Sequence, residues 1–489
     1  MTHALVPLAA EAPEINEAAT AFMLIASAMV LLMTPGLALF YGGMTRSKSV
    51  LNMMMMSFGS LGVVGVIYIL WGYSMSFGPS NVGGVFASPF DLFGLGQLLD
   101  DGTGRPKLID VFGTGVHIPE VLFAGFQLTF AVLTVALISG AIADRVKFGT
   151  WLVFAGAWAT LVYFPVAHMV WGGGLLSGAR GGLAARIFGM TDGVANVVPI
   201  DFAGGTVVHI NAGAAGLVLA LVIGKRLGFG RTAMRPHNVP LVMIGAGLLW
   251  FGWFGFNAGS ELAADGLASV AWLNTTAATA AAIIGWLAVE KLRDGHATGV
   301  GAASGVVAGL VAITPACGVL SPVGSLVLGA VAGGLAAVAV GLKYRFGYDD
   351  SLDVVGVHLV AGLWGTVGAG LLSTSTGLFY GGGVDQTLLQ ALLALASLLV
   401  SGILTLVIAL ALKATMGWRV SDEEETAGID QAVHAESGYD FGGPGAGARA
   451  GALARAFTGE TPGTSAGRWS GKPSGTTHET SEQTEGARA

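Results

Sequence analysis

Long apolar stretches recur along the chain, each near the length a helix needs to cross a bilayer and each closed by a short polar or charged segment. A hydrocarbon core about 30 Å thick takes roughly 20 residues of helix. Runs near 20–41, 51–74, 118–143, 149–171, 203–224, 239–257, 268–289, 299–316, 324–342, 354–373 and 387–412 meet that demand. The pattern predicts eleven transmembrane helices in an all-α polytopic membrane protein. The eighth and tenth runs are short and rich in glycine, which suits helices inside a bundle that never face lipid. An odd number of spans puts the two termini on opposite sides.

Composition narrows the class. Only 11% of the 489 residues are charged and 53% are hydrophobic, against about a quarter charged in an ordinary soluble domain. The 78 glycines have no three-residue period, so collagen-like and disordered chains are excluded, and close helix packing remains as their use. Cys317 is the single cysteine, so one chain can form no disulfide framework or cysteine-metal cluster. A net charge of −7 gives nucleic-acid binding no support. Glu11, Glu14 and Glu17 precede the first apolar run, which has no Lys or Arg before it; a secretory signal begins basic, so this run reads as a retained span.

Orientation follows from the basic residues of the loops. With the N-terminus outside, Arg46, Lys48, Arg145, Lys147, Lys225, Arg226, Arg231, Arg235, Lys291, Arg293, Lys343, Arg345, Lys413 and Arg419 fall inside. Arg105, Lys107, Arg180 and Arg186 fall outside, and fourteen against four puts the C-terminal tail in the cytoplasm of a multi-pass protein of the cell membrane. The chain then divides into an extracytoplasmic segment 1–18, a transmembrane domain 19–415, an ordered cytoplasmic region 416–441 and a distal tail 442–489. The region 416–441 carries Trp418 and Arg419, then acidic Asp422 to Glu425, then Tyr439-Asp440-Phe441. The distal tail is Gly, Ala, Ser, Thr and Glu with few apolar residues, and is expected to be disordered.

An internal repeat comes next. Val208-His209-Ile210-Asn211-Ala212-Gly213 and Val357-His358-Leu359-Val360-Ala361-Gly362 match in four of six positions, and Asp201 and Asp350 stand eight residues before the two histidines. These are the fifth and tenth spans. Five spans apart means opposite directions through the bilayer, so two halves of five helices form an inverted repeat, with an additional C-terminal helix and a functional site at their interface near the midplane. Eight residues of helix rise about 12 Å, which brings each histidine to mid-membrane from an opposite face.

Ionisable groups at that depth are costly and face the bundle interior or a pathway. A core histidine satisfied by a backbone carbonyl is the bland reading for either one alone; their pairing through the repeat favours function. Two imidazoles in contact can share a proton and offer both a donor and an acceptor to a small solute. They lack the ligand count of a metal site, and neither a metal nor another cofactor is expected. Asp201 opens the fifth span as a helix N-cap, and its charge can also favour a cation in the entrance. Phe126 and Phe130, four apart, share a helix face. Trp171 precedes three glycines, and Trp253 to Ser260 ends the sixth span. Core packing explains most such aromatics, yet a ring face beside a hydroxyl would hold a small cation. His168 and the Met53–Met56 run read as structural.

At this point the motifs resemble those of a known family. Asp201-Phe202-Ala203-Gly204-Gly205-Thr206-Val207-Val208-His209-Ile210-Asn211, His168-Met169-Val170-Trp171-Gly172-Gly173-Gly174, Gly252 to Ser260 and Gly356-Val357-His358 are similar to the signature stretches of the Amt/MEP/Rhesus ammonium transporters, in the right order and over about residues 19–441. The resemblance implies a homotrimer with one pore per protomer, passage of ammonium or ammonia, and methylammonium as an analogue. It assigns an outer recruitment site to Phe126, Trp171 and Ser260, a stacked gate to Phe130 and Phe256, the pore to His209 and His358, and a structural, cation-stabilising role to Asp201. Trp171 and Ser260 point to the bacterial and archaeal Amt branch. Leu128, Thr129, the long outer loop 75–116 and the tail depart from the familiar pattern. By the same resemblance, 416–441 packs on the cytoplasmic loops, where a PII-type signalling protein could dock; the basic loops bearing Lys225, Arg226, Arg231, Arg235, Lys343 and Arg345 suit an acidic partner or Glu423 to Glu425.

The expected activity is transport, not enzymatic catalysis. An aromatic and hydroxyl vestibule could strip water from ammonium, a narrow apolar lumen makes crossing as an ion expensive, and ammonia could pass the histidines, which could also relay the proton; passage of the ion, of ammonia with a separately routed proton and of ammonia alone stay open at this point. Two rivals stand beside it. A membrane sensor would use the same pocket to signal through the tail, although no enzymatic signalling domain is legible beyond residue 441. A proton-coupled carrier for a larger solute would need more mid-membrane carboxylates.

Overall fold

The computed structural model describes residues 13–439; residues 1–12 and the disordered tail expected over 442–489 lie outside the described residues. Eleven helices correspond to the predicted runs: α1 (Glu17–Met44), α2 (Ser47–Phe77), α3 (Glu120–Ile142), α4 (Phe148–Val170), α5 (Gly205–Ile223), α6 (Val239–Glu261), α7 (Gly266–Asp294), α8 (Gly299–Ile313), α9 (Pro322–Phe346), α10 (Val355–Leu372) and α11 (Asp385–Thr415). Among the described residues ten are long and apolar enough to cross a membrane. The eighth is shorter than expected. Its 15 residues rise about 22 Å at 1.5 Å per residue, and all but three are buried, so its length is set by neighbouring helices and not by lipid.

Start signals written in the sequence are used as caps. Asn16, Asn238, Asp265, Thr298 and Ser321 each accept a backbone N–H in the first turn of α1, α6, α7, α8 and α9. Glycine then sets how closely helices approach. A Cβ built on Gly329 or Gly333 of α9 would lie 2.0 Å from the carbonyl oxygens of Ala278 and Ala282 in α7, and one on Gly285 of α7 would lie 2.1 Å from that of Ala330 in α9. Backbone meets backbone there, which is how helices gain dispersion energy where burial from water no longer drives association.

The halves pack as the repeat predicts. The leading helices α1 and α6 lie against each other over most of their length, and α5 and α10 meet at the interface of the halves. Two short hairpins interrupt the all-α pattern: β1 (Leu108–Asp110) pairs with β2 (His117–Pro119), and β3 (Met190–Thr191) with β4 (Val194–Ala195). Both lie in connections, where backbone polar groups not satisfied by a helix need another partner.

At the opposite end of the bundle a buried ionic cluster ties three connections together. The Arg226 guanidinium reaches Asp349 at 2.8 Å and Asp144 at 3.2 Å; burial would raise the Asp349 carboxyl, but Arg226 holds it below the ordinary value. Arg145, fully buried, donates to Ser351 Oγ at 2.5 Å and to the Asp349 carbonyl at 2.7 Å. Two of the basic residues offered by the sequence to an acidic partner are therefore committed inside the chain: Arg226, and Lys343, whose ammonium meets Asp353 at 2.6 Å. Residues 416–438 pack over this end. Trp418 is buried and donates to the Ala409 carbonyl, and a one-turn helix α12 (Asp422–Ala427) starts with a capping box between Ser421 and Glu424. Glu425 accepts from Arg419 at 2.5 Å and from Leu227 N at 2.7 Å. Asp430 accepts from Leu51 N and Asn52 N at 3.0 and 2.7 Å, capping the first α-turn of α2, which Ser49 leaves without a side-chain cap.

Candidate functional site

A cavity of about 700 Å³ opens at the end of the bundle away from α12, and Phe126, Phe130, Trp171, Asp201 and Ser260 all line it. The sequence-predicted vestibule residues are thus brought together from α3, α4, α6 and the connection before α5. The Trp171 indole is fixed by donating to the Asp201 carbonyl at 3.0 Å. Ser260 donates its hydroxyl proton to the Phe256 carbonyl at 2.7 Å. That bond follows from its position, four residues on in the last turn of α6, and it leaves the oxygen able only to accept from a solute.

Below the cavity the Phe130 and Phe256 rings stack, centroids 4.1 Å apart and 26° between planes. Phe126 meets Phe130 edge to face at 4.8 Å, and Trp171 meets Phe130 at 6.2 Å and 86°. The next ring is His209, 6.1 Å from Phe256, followed by His358 at 5.5 Å and 16° from His209. Both histidines are buried. Neither His209 nitrogen nor Nδ1 of His358 has a hydrogen-bond partner among the described residues. The two rings are nearly parallel, with centroids 5.5 Å apart, and no hydrogen bond joins them.

The local backbone explains how the histidines reach that position. Each lies in a π-helical turn, Gly205–Ile210 and Val355–Val360, that opens its span before an ordinary α-helix continues. Such turns are rare and cluster at functional sites. Each is opened by the aspartate eight residues upstream. Asp201 accepts from the backbone N–H of Gly204, Gly205, Thr206 and Val207 and from the Thr206 hydroxyl; burial raises its carboxyl above the ordinary value while these donors pull it down. Gly204 makes the wrap possible, with φ at +122° and no room for a Cβ beside Val208. Asp350 accepts from Val354 N and Val355 N at 3.1 and 2.7 Å, and burial pushes its carboxyl up to about 6 against the pull of Lys343.

The repeated glycine completes the device. Gly213, four residues after His209, faces the Leu359 backbone, where a Cβ would stand 2.5 Å from its nitrogen. Gly362, four after His358, faces His209 and Ile210 at 3.2 and 3.3 Å. Each histidine turn is thus seated on the other half's glycine.

Several supporting groups escaped the sequence reading. Trp253 stacks on His209 at 5.4 Å and 16° and is fixed by donating to Thr314 Oγ1 at 2.8 Å. Ser397 and Ser401 of α11 donate to the carbonyls of Thr206, inside the α5 π turn, and Asn211, the residue that follows it. The available signal was a pair of hydroxyls four apart, on one face of an otherwise apolar helix.

The family model described as Ammonium Transporter Family matches residues 21–439. An ammonium transporter of Mycobacterium tuberculosis is 55% identical over 441 residues, covering 86% of this chain and 90% of that protein. Among solved structures, Saccharomyces cerevisiae Mep2 is similar with a TM-score of 0.71 and 30% identity, over 83% of this chain and 91% of that one. A structure described as Sensor Amt Protein is similar with a TM-score of 0.74 and 28% identity, over 85% and 98%.

Proposed function

The chain belongs to the ammonium transporter family, and we propose that it takes ammonium at the Phe126–Trp171–Ser260 vestibule and passes it as ammonia plus a proton along His209 and His358. The observation that carries the route is the order of groups along one line: a hydroxyl that can only accept, aromatic faces, a stacked phenylalanine pair, then imidazole nitrogens without protein partners. Ammonium and potassium are alike in charge and size, so discrimination needs N–H donors or a removable proton. Ser260 Oγ and the ring faces of Phe126 and Trp171 reward the donors and the charge. The closed Phe130–Phe256 pair admits nothing while stacked, so a ring must swing for passage. Beyond it an intact cation in apolar walls is costly, whereas ammonia bonds to the histidine nitrogens in turn. The two imidazoles, with centroids 5.5 Å apart, are close enough to share a proton between ring nitrogens and so relay it along the lumen. Asp201 acts mainly as the clamp of the α5 turn and lends its charge to the cavity floor.

This reading includes a homotrimer in the cell membrane, with the vestibule and N-terminus outside and α12 in the cytoplasm, which the distribution of Lys and Arg supports. Radiolabelled methylammonium uptake tests it. Losing one hydrogen bond in a partly wet site costs on the order of 1 kcal/mol, so Ser260→Ala should weaken affinity several-fold without lowering the maximum rate; unchanged affinity would remove Ser260 from the site. Uptake that ignores a membrane potential would remove the proton from the net movement.

A second reading, a transporter that also reports ammonium, draws on the bonds from Glu425 and Asp430 to Leu227, Leu51 and Asn52 and on the likeness to a protein described as a sensor. In it the region 416–441 regulates the pore and a PII-type protein docks there. Truncation after Leu412 should change transport or its response to such a protein, and truncation after Phe441 should not. An unaltered response after Leu412 would refute the coupling.

A further inference from the structure

The vestibule wall is not made by the helices alone. Ile109, Asp110, Val111, Phe112 and Thr114, from the connection between α2 and α3, line the same cavity as Phe126, Trp171 and Ser260. This stretch is the end of β1 and the tip of the β1–β2 hairpin, and several bonds hold it in place. Lys107 meets Glu120 at 2.8 Å, and the buried Glu120 also receives the Tyr73 hydroxyl at 3.0 Å. Asn16 N donates to the His117 carbonyl, and Glu120 N to that of Lys107. At the tip, Gly115 N donates to Asp110 Oδ1 and Val111 N to the Val116 carbonyl.

Phe112 is the anomaly. Its backbone is left-handed, φ 50° and ψ 25°, a region that bulky L residues avoid. The chain places glycine at 113 and 115, where φ is also positive, but not at 112. Its side chain is 69% exposed, although it lies in a connection outside the membrane-spanning helices. A large apolar ring held open to solvent in a strained conformation contributes nothing to packing, and such strain gathers at binding sites. Below it the cavity continues past Phe77 and Phe123, edge to face at 5.1 Å, toward Phe126. Asp110, exposed beside it with one carboxylate oxygen engaged by Gly115, faces the same space.

We propose that the hairpin tip is a further cation-recruiting element of the transporter: the Phe112 ring and the Asp110 carboxylate receive ammonium at the lip of the vestibule and raise its local concentration before it reaches Ser260. The inference rests on the vestibule reading given above. An exposed cation–π contact and a screened charge each correspond to roughly a two- to fivefold change in affinity, and the charge term alone falls with salt.

The test uses full-length chain at matched membrane abundance and measures methylammonium uptake against concentration. Phe112→Asn, which tolerates the left-handed backbone, and Asp110→Asn should each raise KM about two- to fivefold at unchanged maximum rate. Phe112→Trp should preserve KM, and the Asp110→Asn effect should vanish at high salt while that of Phe112→Asn persists. Unchanged KM in both asparagine variants, or a lower maximum rate at unchanged KM, overturns the proposal. Ser260→Ala in the same assay separates the two claims: a KM shift there alone means that only the lip fails, and no shift anywhere means that the vestibule fails with it.

Discussion

Asp201 and Asp350 stand at the same distance from their histidines, yet the two carboxylates are held in unlike ways. Asp201 gathers four backbone N–H groups and the Thr206 hydroxyl, and α11 braces the same turn through Ser397 and Ser401. Asp350 takes two N–H groups and sits beside the Lys343–Asp353 ion pair at the end covered by α12. The shared motif thus sets the backbone path that presents each histidine, and the surroundings decide how rigidly. The tightly clamped copy is the one whose connection also forms the vestibule wall, where the Asp201 carbonyl fixes Trp171.

That contrast breaks first at the aspartates. Asn in place of Asp201 has one acceptor atom for five donors and turns an NH2 toward several of them, so Asp201→Asn should cost about 3 kcal/mol or more. At Asp350 only two donors are involved, and burial already pushes the carboxyl up to about 6. A raised value means that this group's contribution to stability is full at low pH and is lost as pH rises toward 6. Asp350→Asn should therefore lower the thermal midpoint much less at neutral pH, and equal losses in the purified variants would erase the distinction.

A smaller difference is expected at the paired glycines. A methyl on Gly213 would press on the Leu359 backbone at 2.5 Å, whereas on Gly362 it meets His209 at 3.2 Å. Gly213→Ala should cost about 1–3 kcal/mol and shift the His358 turn; Gly362→Ala should be the milder variant in the same melting experiment. The reverse order would mean that the α5 turn, not the α10 turn, is the one that yields.

Much of this was legible because hydrocarbon thickness writes itself into run length. Ten of eleven runs became long helices for that reason, and α8 fell short because buried glycine and alanine pack without reference to lipid. The histidine pair was legible through Asp-x7-His and the matching glycine. The π turns were not, since a turn one residue wider than α leaves no hydrophobic period of its own. Nor was the place of Trp253 against His209, because an aromatic in α6 has many apolar neighbours available and only tertiary packing selects one. Phe112 was hidden for a related reason: the connection 75–116 has no strand-like alternation long enough to announce a three-residue ladder.

The central claim is that the unpartnered nitrogens of His209 and His358 carry selectivity at mid-pore. Ammonium and potassium currents through membranes containing folded His209→Ala and His358→Ala protein test it most directly. Loss of selective ammonium passage in both variants, with His209→Ala also freeing the Trp253 face, is the predicted result; ammonium currents and potassium exclusion that match the unaltered protein in both would contradict it.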